Sequence, residues 1–261
     1  MASLERRVAI DAARDAGDLL RREVRGPRRI TYKGAPTNLV TEMDARAEAL
    51  ILQRLVAAFP DDGVLSEEAG AQPGRSGRRW IVDPLDGTTN YAHGVPVFAV
   101  SIALEAAGRA VLGVVYDPNL EELFVAERGG GAFLREERLA VSATSVLDES
   151  LLTTGFPYSI RQIADNNLRE YAAFSVRARA VRRLGSAVID FAWVAAGRYD
   201  GFWELTLGAW DAAAGALLVE EAGGRVTDLG GGPLDLDRPA IVATNGRIHD
   251  EVLAVLKEIR G

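Results

Sequence analysis

The sequence has no cysteine and only two histidines, His93 and His249, among its 261 residues. The first absence excludes a disulfide framework, a thiolate nucleophile and any zinc or iron–sulfur site held by cysteine. The second excludes a multi-histidine metal centre. An excess of basic charge is also lacking: 30 Lys+Arg stand against 37 Asp+Glu, a formal charge of −7. That balance argues against nucleic-acid binding through a broad basic face. No long apolar run occurs. The longest, Val95 to Leu104, is broken by Pro96 and Ser101 and has half the ~20 residues a spanning helix needs. The first twenty residues mix both charges from Glu5 onward and lack the apolar middle of a signal peptide. The expected protein is cytoplasmic, with neither a membrane nor a nucleic acid as partner.

What is present is ordinary globular composition, 48% hydrophobic and 26% charged, enough apolar surface to offset the entropy of ordering the chain. At about 150 residues per domain, one large domain or two interlocked halves fit the length. No repeat or flexible linker divides the chain. The expectation is therefore a single body over 1–261, with halves of about 1–142 and 143–261. Leu4, Val8, Ala12, Ala16 and Leu20 predict an amphipathic helix ended by Gly26-Pro27. RITYKG reads as a short strand. A second helix starts at Thr41, with Asp44 three residues on in a capping-box arrangement and Ala47, Ile51 and Leu55 as its apolar face.

From Gly63 the pattern changes to strands: GVLSEE, WIVDPLDG, VFAVSIALE, AVLGVVYD and EELFVAE, the later ones an antiparallel meander. GAQPGRSGRR reads as a surface connection. In the second half SLLTTGF, YDGFWE, GRVTD and AIVATN are strand candidates. Helices are expected over 166–179, in the nearly apolar run GSAVIDFAWVAAG, in AWDAAAGALLVEEAGG and in IHDEVLAVLKEI.

The chemistry concentrates in Asp83-Pro84-Leu85-Asp86-Gly87-Thr88-Thr89. The apolar Trp80-Ile81-Val82 delivers two acids into what reads as a turn, where buried carboxylates are costly unless paired or bound to a cation. Gly87 permits close backbone approach, and Gly87-Thr88 can present N–H groups to an anion. Alone, such a run is accounted for by turn capping. Two further features shift the reading. Glu67-Glu68 ends the preceding strand, and adjacent strand residues face opposite sides, so one acid points inward beside Asp83. Asp211 stands within the otherwise apolar AWDAAAGALLV, where an N-cap or a functional role would each explain it.

Glu67-Glu68, DPLDGTT and Trp210-Asp211-Ala-Ala-Ala-Gly together resemble the inositol monophosphatase family of magnesium-dependent, lithium-sensitive phosphatases. The likeness runs from LVTEMD at 39–44 through RRLGSAVIDFAWVAAGRYDGFWE at 182–204 to EAGGRVTD at 221–228. It implies a layered α/β/α/β/α sandwich, of the type shared with fructose-bisphosphatase, and a homodimer, to which the apolar helix 186–196 also points. It implies Glu67, Asp83 and the Leu85 carbonyl as ligands of one Mg²⁺, and Asp83, Asp86 and Asp211 as ligands of a second; a third ion is compatible. Thr88, backed by Asp44, and Glu67 would activate the attacking water, although the capping box accounts for Asp44 without catalysis. The Gly87 and Thr88 amides would hold the phosphate beside Asp86 and Asp211. Gly185, Ser186 and Ala187 would present backbone to the ring, and Glu204 would accept its hydroxyls; a helix start and a solvated strand end are the plain alternatives.

Lys33 matches a family lysine near the metals or is an exposed loop charge. Arg182 and Arg183 read as surface or interface cations, and the two histidines as non-catalytic. Gly208 stands where relatives commonly carry a larger polar or basic residue, which implies a more open rim and puts inositol preference in question. The expected reaction is hydrolysis of myo-inositol phosphate. The alternatives are the same chemistry on fructose 1,6-bisphosphate, adenosine 3′,5′-bisphosphate, NADP or histidinol phosphate, or a regulatory binding protein that keeps the fold. A haloacid-dehalogenase-type phosphatase spaces its acids two apart, whereas Asp83 and Asp86 are three apart.

Overall fold

The computed structural model describes residues 3–26, 30–32 and 39–261. Lys33 lies outside them. Helix α1 (Leu4–Glu23) is capped by Ser3, whose hydroxyl accepts the Arg6 amide. Its buried stripe runs through Ala9, Ala12, Ala13, Ala16, Leu19 and Leu20, so the expected face is right in its middle while Leu4 is exposed. Strands β1 (Ile30–Tyr32) and β2 (Leu39–Thr41) form a small antiparallel pair that leads into α2 (Glu42–Ala58). The Thr41–Asp44 capping box is formed as expected.

The first large sheet has eight strands. They are β3 (Gly63–Ser66), β4 (Gly70–Gln72), β5 (Arg78–Asp86), β6 (Ala99–Ala106), β7 (Arg109–Asp117), β8 (Glu122–Glu127), β9 (Gly131–Leu134) and β10 (Glu137–Arg138). From β5 to β10 it is the antiparallel meander, whereas β3 joins β5 in parallel. GAQPGRSGRR is not all connection: β4 pairs with β3 along its start. Helix α3 (Thr88–His93) follows β5 directly.

The second sheet, in the order β12-β11-β13-β15-β14, comprises β11 (Leu151–Thr154), β12 (Ala180–Arg182), β13 (Gly201–Glu204), β14 (Arg225–Thr227) and β15 (Ile241–Thr244). Its helices are α4 (Leu168–Ser175), α5 (Ala187–Ala195), α6 (Ala209–Glu221) and α7 (His249–Arg260). α4 is shorter than the expected 166–179, because the chain leaves the helix at Val176 to form the unforeseen β12.

Helices α1 and α2 cover one face of the large sheet; α5 and α6 fill the space between the sheets; α4 and α7 cover the outside of the second. The result is the five-layer α/β/α/β/α sandwich. Alternation along β5 and β6 feeds two cores at once: Ile81, Ala99 and Ala103 face α5 and α6, while Trp80, Val82, Val100 and Ile102 face α1 and α2. Such strands read as continuous apolar runs. α5 is apolar for the same reason, since Val188, Ile189, Phe191, Ala192, Val194 and Ala195 are buried within the chain. Its composition therefore no longer argues for a subunit interface. Among the described residues no helix is long and apolar enough to cross a membrane.

Candidate active site

The site forms where β5 ends. Asp83 pairs with Ser101 and Asp86 with Ala99, so three steps on β5 oppose two on β6. Asp83-Pro84-Leu85-Asp86 is thus a bulge inside the strand, where a turn was expected. The extra residue re-aims the side chains, as bulges do, and Oδ1 of Asp83 accepts the Leu85 amide at 2.9 Å. At Gly87 φ is +90°, and a Cβ would lie 2.8 Å from the Val97 carbonyl oxygen. Only glycine fits there. This tight passage starts α3 and places Thr88 beside Asp83 and Asp86.

Asp44 answers the capping question with both of its oxygens. Oδ2 accepts the Thr41 amide and hydroxyl, each at 2.8 Å, and Oδ1 accepts the Thr88 hydroxyl at 3.0 Å. The cap and the contact to Thr88 coexist. The same hydroxyl lies 3.0 Å from the Leu85 carbonyl, so its single proton has two acceptors. Burial raises the Asp44 carboxyl above its ordinary value, against donors on Thr41 and Thr88 that pull it down.

Asp211 comes from the first turn of α6 and accepts the Gly208 amide at 2.6 Å. It serves as that helix's cap and also reaches the cluster. One oxygen each of Asp83, Asp86 and Asp211 lie within 4.8 Å of one another. Asp86 is fixed through Oδ2 by the Ser186 hydroxyl and by the Val188 amide at 2.9 Å. Ser186 also caps α5 through the Ile189 amide. The helix start expected as the plain reading of Gly185-Ser186 is therefore present, and it anchors an acid of the cluster.

Burial, and then the charges of Glu67, Asp86 and Asp211, push Asp83 well above the carboxylate range. Asp211 is driven the same way by burial, Asp86 and Glu67. Asp86 rises to about 6, burial outweighing its donors on Ser186, Val188, Ala187 and Gly87. No Lys or Arg pairs with any of the three among the described residues. Carboxylates assembled against their own repulsion, with oxygens this close, suit a small hard divalent cation.

Glu67 and Glu68 follow β3 in a turn rather than on the strand, so the alternation argument does not place them. The turn does, and Glu67 lines the same cavity as the three aspartates. That cavity has a volume of about 960 Å³ and also takes in Gly185, Ala187 and Glu204. Glu204 closes β13 and is buried, not a solvated strand end; burial and the nearby Asp211 and Asp190 raise it well above its usual range. A Cβ at residue 155 would sit 2.1 Å from Oε2 of Glu204, so Gly155 makes the room for this carboxylate.

Three features of the cavity were not foreseen. Asp190, buried on α5, lines it and accepts the Thr153 hydroxyl at 2.8 Å. Its one sequence signal is a charge within an apolar helix. Arg183 is exposed, as expected of a surface cation, and in addition lines the cavity and lowers Asp190 and Glu204 against their burial. Tyr158 stands at the same wall. At Gly208 a Cβ would meet the Trp210 ring at 2.4–2.7 Å, so the indole occupies the space beside this glycine. Neither histidine lines the cavity.

Residues 3–260 match the model of the inositol monophosphatase family. The chain is 46% identical over 254 residues to an inositol-1-monophosphatase of Mesorhizobium japonicum, covering 96% of this chain and 95% of that protein. It is 42% identical over 254 residues to the Nus factor SuhB of Escherichia coli, with coverage of 96% and 95%. The crystal structure of the extragenic suppressor protein SuhB from Bartonella henselae superposes with a TM-score of 0.93 at 42% identity, covering 98% of this chain and 99% of that one.

Proposed function

The chain belongs to the inositol monophosphatase family, and on that premise we propose that it hydrolyses inositol monophosphate to inositol and phosphate with magnesium bound. The observation that carries this reading is the cluster of Asp83, Asp86 and Asp211 at the cavity wall beside the first amides of α3. Glu67, Asp83 and the Leu85 carbonyl would hold one ion; Asp83, Asp86 and Asp211 would hold a second. Bound there, divalent ions lower the pKa of a water and neutralise charge on the phosphoryl oxygens.

The protein's own groups do the rest. With the Leu85 carbonyl engaged as a metal ligand, the Thr88 hydroxyl would direct its proton to Asp44, which leaves the threonine oxygen to accept a hydrogen bond from the attacking water. Glu67 takes that water's proton. The Thr88 amide, at the start of α3, would bind a phosphate oxygen, and the Gly87 amide, which also donates to Asp86, would be shared with it. Ser186 holds Asp86 in orientation. Glu204 accepts hydroxyls of the alcohol, since no donor among the described residues reaches its carboxylate and its place on β13 faces the cavity. Gly185 and Ala187 line the same end with backbone. The same reading takes the protein as a cytoplasmic homodimer, which sedimentation would show at twice 28.0 kDa.

The test is phosphate release from myo-inositol 1-phosphate, fructose 1,6-bisphosphate, adenosine 3′,5′-bisphosphate, NADP and histidinol phosphate, with and without Mg²⁺. The expected outcome is Mg²⁺-dependent release, fastest from the inositol ester. Full turnover by metal-free protein would end the two-metal reading; a preference for another ester would leave the chemistry and change the substrate. The relative named a Nus factor keeps partner binding as a second role. Loss of an acid from the cluster would mark a purely regulatory protein, and here the acids converge.

A further inference from the structure

Helix α2 carries two buried carboxylates one turn apart, and the mechanism uses only the first. Asp44 holds Thr88. Glu48, four residues later and therefore on the same face, is 8% exposed. Its Oε1 accepts the hydroxyl of Ser66 and, at 2.9 Å, the amide of Ala69. Those two donors bracket Glu67 and Glu68 in the chain. The turn is tied on its other side by the Glu67 amide, which donates to the Val82 carbonyl at 3.2 Å, one residue before Asp83. Ser66 is itself fully buried. Among the described residues no Lys or Arg pairs with Glu48, whose partners there are these two donors. A carboxylate is a costly residue with which merely to fasten a turn.

We infer that Glu48 is a positioning residue: it locks the turn that carries Glu67, so that Glu67 faces Asp83 at a fixed separation. This rests on the reading of Glu67 as a metal ligand. Turn residues have few ways to resist the repulsion between Glu67 and Asp83. Glu48 supplies resistance from the helix beneath, at both ends of the short segment. α2 thus becomes a single rigid support that sets Thr88 through Asp44 and Glu67 through Glu48.

The test compares wild type, Glu48→Ala, Glu48→Gln, Ser66→Ala and Glu67→Gln. Three quantities are measured: Mn²⁺ affinity by calorimetry without substrate, Mg²⁺ half-activation of phosphate release, and Tm. Loss of an outer hydrogen-bond partner weakens metal affinity or activity by about 10–100-fold. Glu48→Ala is therefore expected to weaken Mn²⁺ binding and Mg²⁺ activation by about tenfold or more, with the substrate KM at saturating Mg²⁺ little changed. Glu48→Gln keeps an oxygen for both donors and is expected to recover most of the affinity. Ser66→Ala removes one of the two bonds and gives an intermediate loss, which keeps the test open if Glu48→Ala fails to fold.

Normal Mn²⁺ affinity in Glu48→Ala or Ser66→Ala, with only Tm reduced, overturns the inference. If Glu67→Gln loses Mn²⁺ affinity in that experiment, the metal-ligand reading stands without it. If wild type binds no Mn²⁺, both fall together.

Discussion

A carboxylate packs against the start of strand β5, from the bend before β3, and another stands near its far end, and the two are built in opposite ways. At its start the side chain of Asp62 is 2% exposed. It accepts Ser76 Oγ at 2.6 Å, two guanidinium nitrogens of Arg78 at 2.9 and 3.0 Å, and the Trp80 indole N–H at 3.1 Å. Burial pushes this acid up, but the donors on Ser76, Arg78 and Trp80 outweigh it and hold it below the ordinary range. At the far end Asp83 is equally hidden, yet its charged neighbours are Glu67, Asp86 and Asp211, and it is driven upward. A buried acid surrounded by donors serves the fold. One surrounded by acids is completed by a cation from outside, and so marks a site.

That contrast breaks most easily by substitution at the two ends. Asp83→Asn is expected to abolish Mn²⁺ binding and lower turnover by far more than about a hundredfold, the upper cost of losing an outer partner of a ligand. Asp62→Asn is expected to leave turnover intact and cost about 2 kcal/mol of stability, since the charged acceptor of Arg78 is lost. Turnover, calorimetry and Tm on both proteins decide it; an active Asp83→Asn would erase the distinction.

Asp44 lies between the two types, with one oxygen for the fold and one for the site. Thr88→Ala is expected to lower kcat by about 10²-fold, the lower end of a general-base contribution, without changing Tm. Asp44→Asn is expected to do two things in one sample. It should reduce kcat, and it should cost about 1 kcal/mol of stability through the cap, because an amide NH₂ would meet the Thr41 donors. A destabilised but fully active variant would return Asp44 to the fold alone.

His249 offers a titratable group buried outside the cavity. Its ring lies between Thr227 at 3.0 Å and Thr244 at 2.9 Å. Thr227 donates to the Asp228 carbonyl, so it accepts from Nε2–H, and Nδ1 accepts from Thr244. A second ring proton, on Nδ1, would force the Thr244 hydroxyl to turn its own proton away from the ring. Burial, and then Arg225, lower its pKa from 6.5 to about 4. The unfolded chain therefore binds the proton first as pH falls. The stability from the neutral ring is whole above pH 6.5 and lost as pH falls toward about 4, up to about 3 kcal/mol. Denaturant titrations across that range should show the slope, and His249→Gln should flatten it.

The smallest expected effect sharpens the substrate end. Gly155→Ala forces the Glu204 carboxylate to move and is expected to raise KM for the inositol ester several-fold, with kcat less affected; loss of one contact of about 1 kcal/mol corresponds to that change. An unchanged KM would remove Glu204 from substrate recognition.

Much of this was legible in residue order. Helical spacing located α1, α2 and α7; apolar runs located β5 to β8; and DPLDGTT, with its dense acids beside Gly, located the site. These signals are local, and the physics behind them acts over a few residues: periodic burial, capping, and the conformational freedom of Gly87. Short strands such as β4 and β12 left no signal, because three residues carry no period and form only when a neighbour supplies hydrogen bonds. The bulge at Asp83–Asp86 is of this kind: a one-residue offset against β6 is a property of the pair.

The resemblance named the candidate members of the site, and tertiary structure decided what surrounds each of them. Sequence alone left Asp44 as either a cap or a relay, Glu67 on a strand, and Gly208 as an open rim. The folded chain gave Asp44 both contacts, put Glu67 on a turn backed by Glu48, and placed the Trp210 indole beside Gly208. Asp190, marked in the sequence only as a charge within an apolar helix, and Arg183, read there as a surface or interface cation, both line the cavity. Residue identity sets which groups can carry charge or accept a proton. Which of them repel, and which find donors, depends on distances between segments far apart in the chain, and only packing sets those.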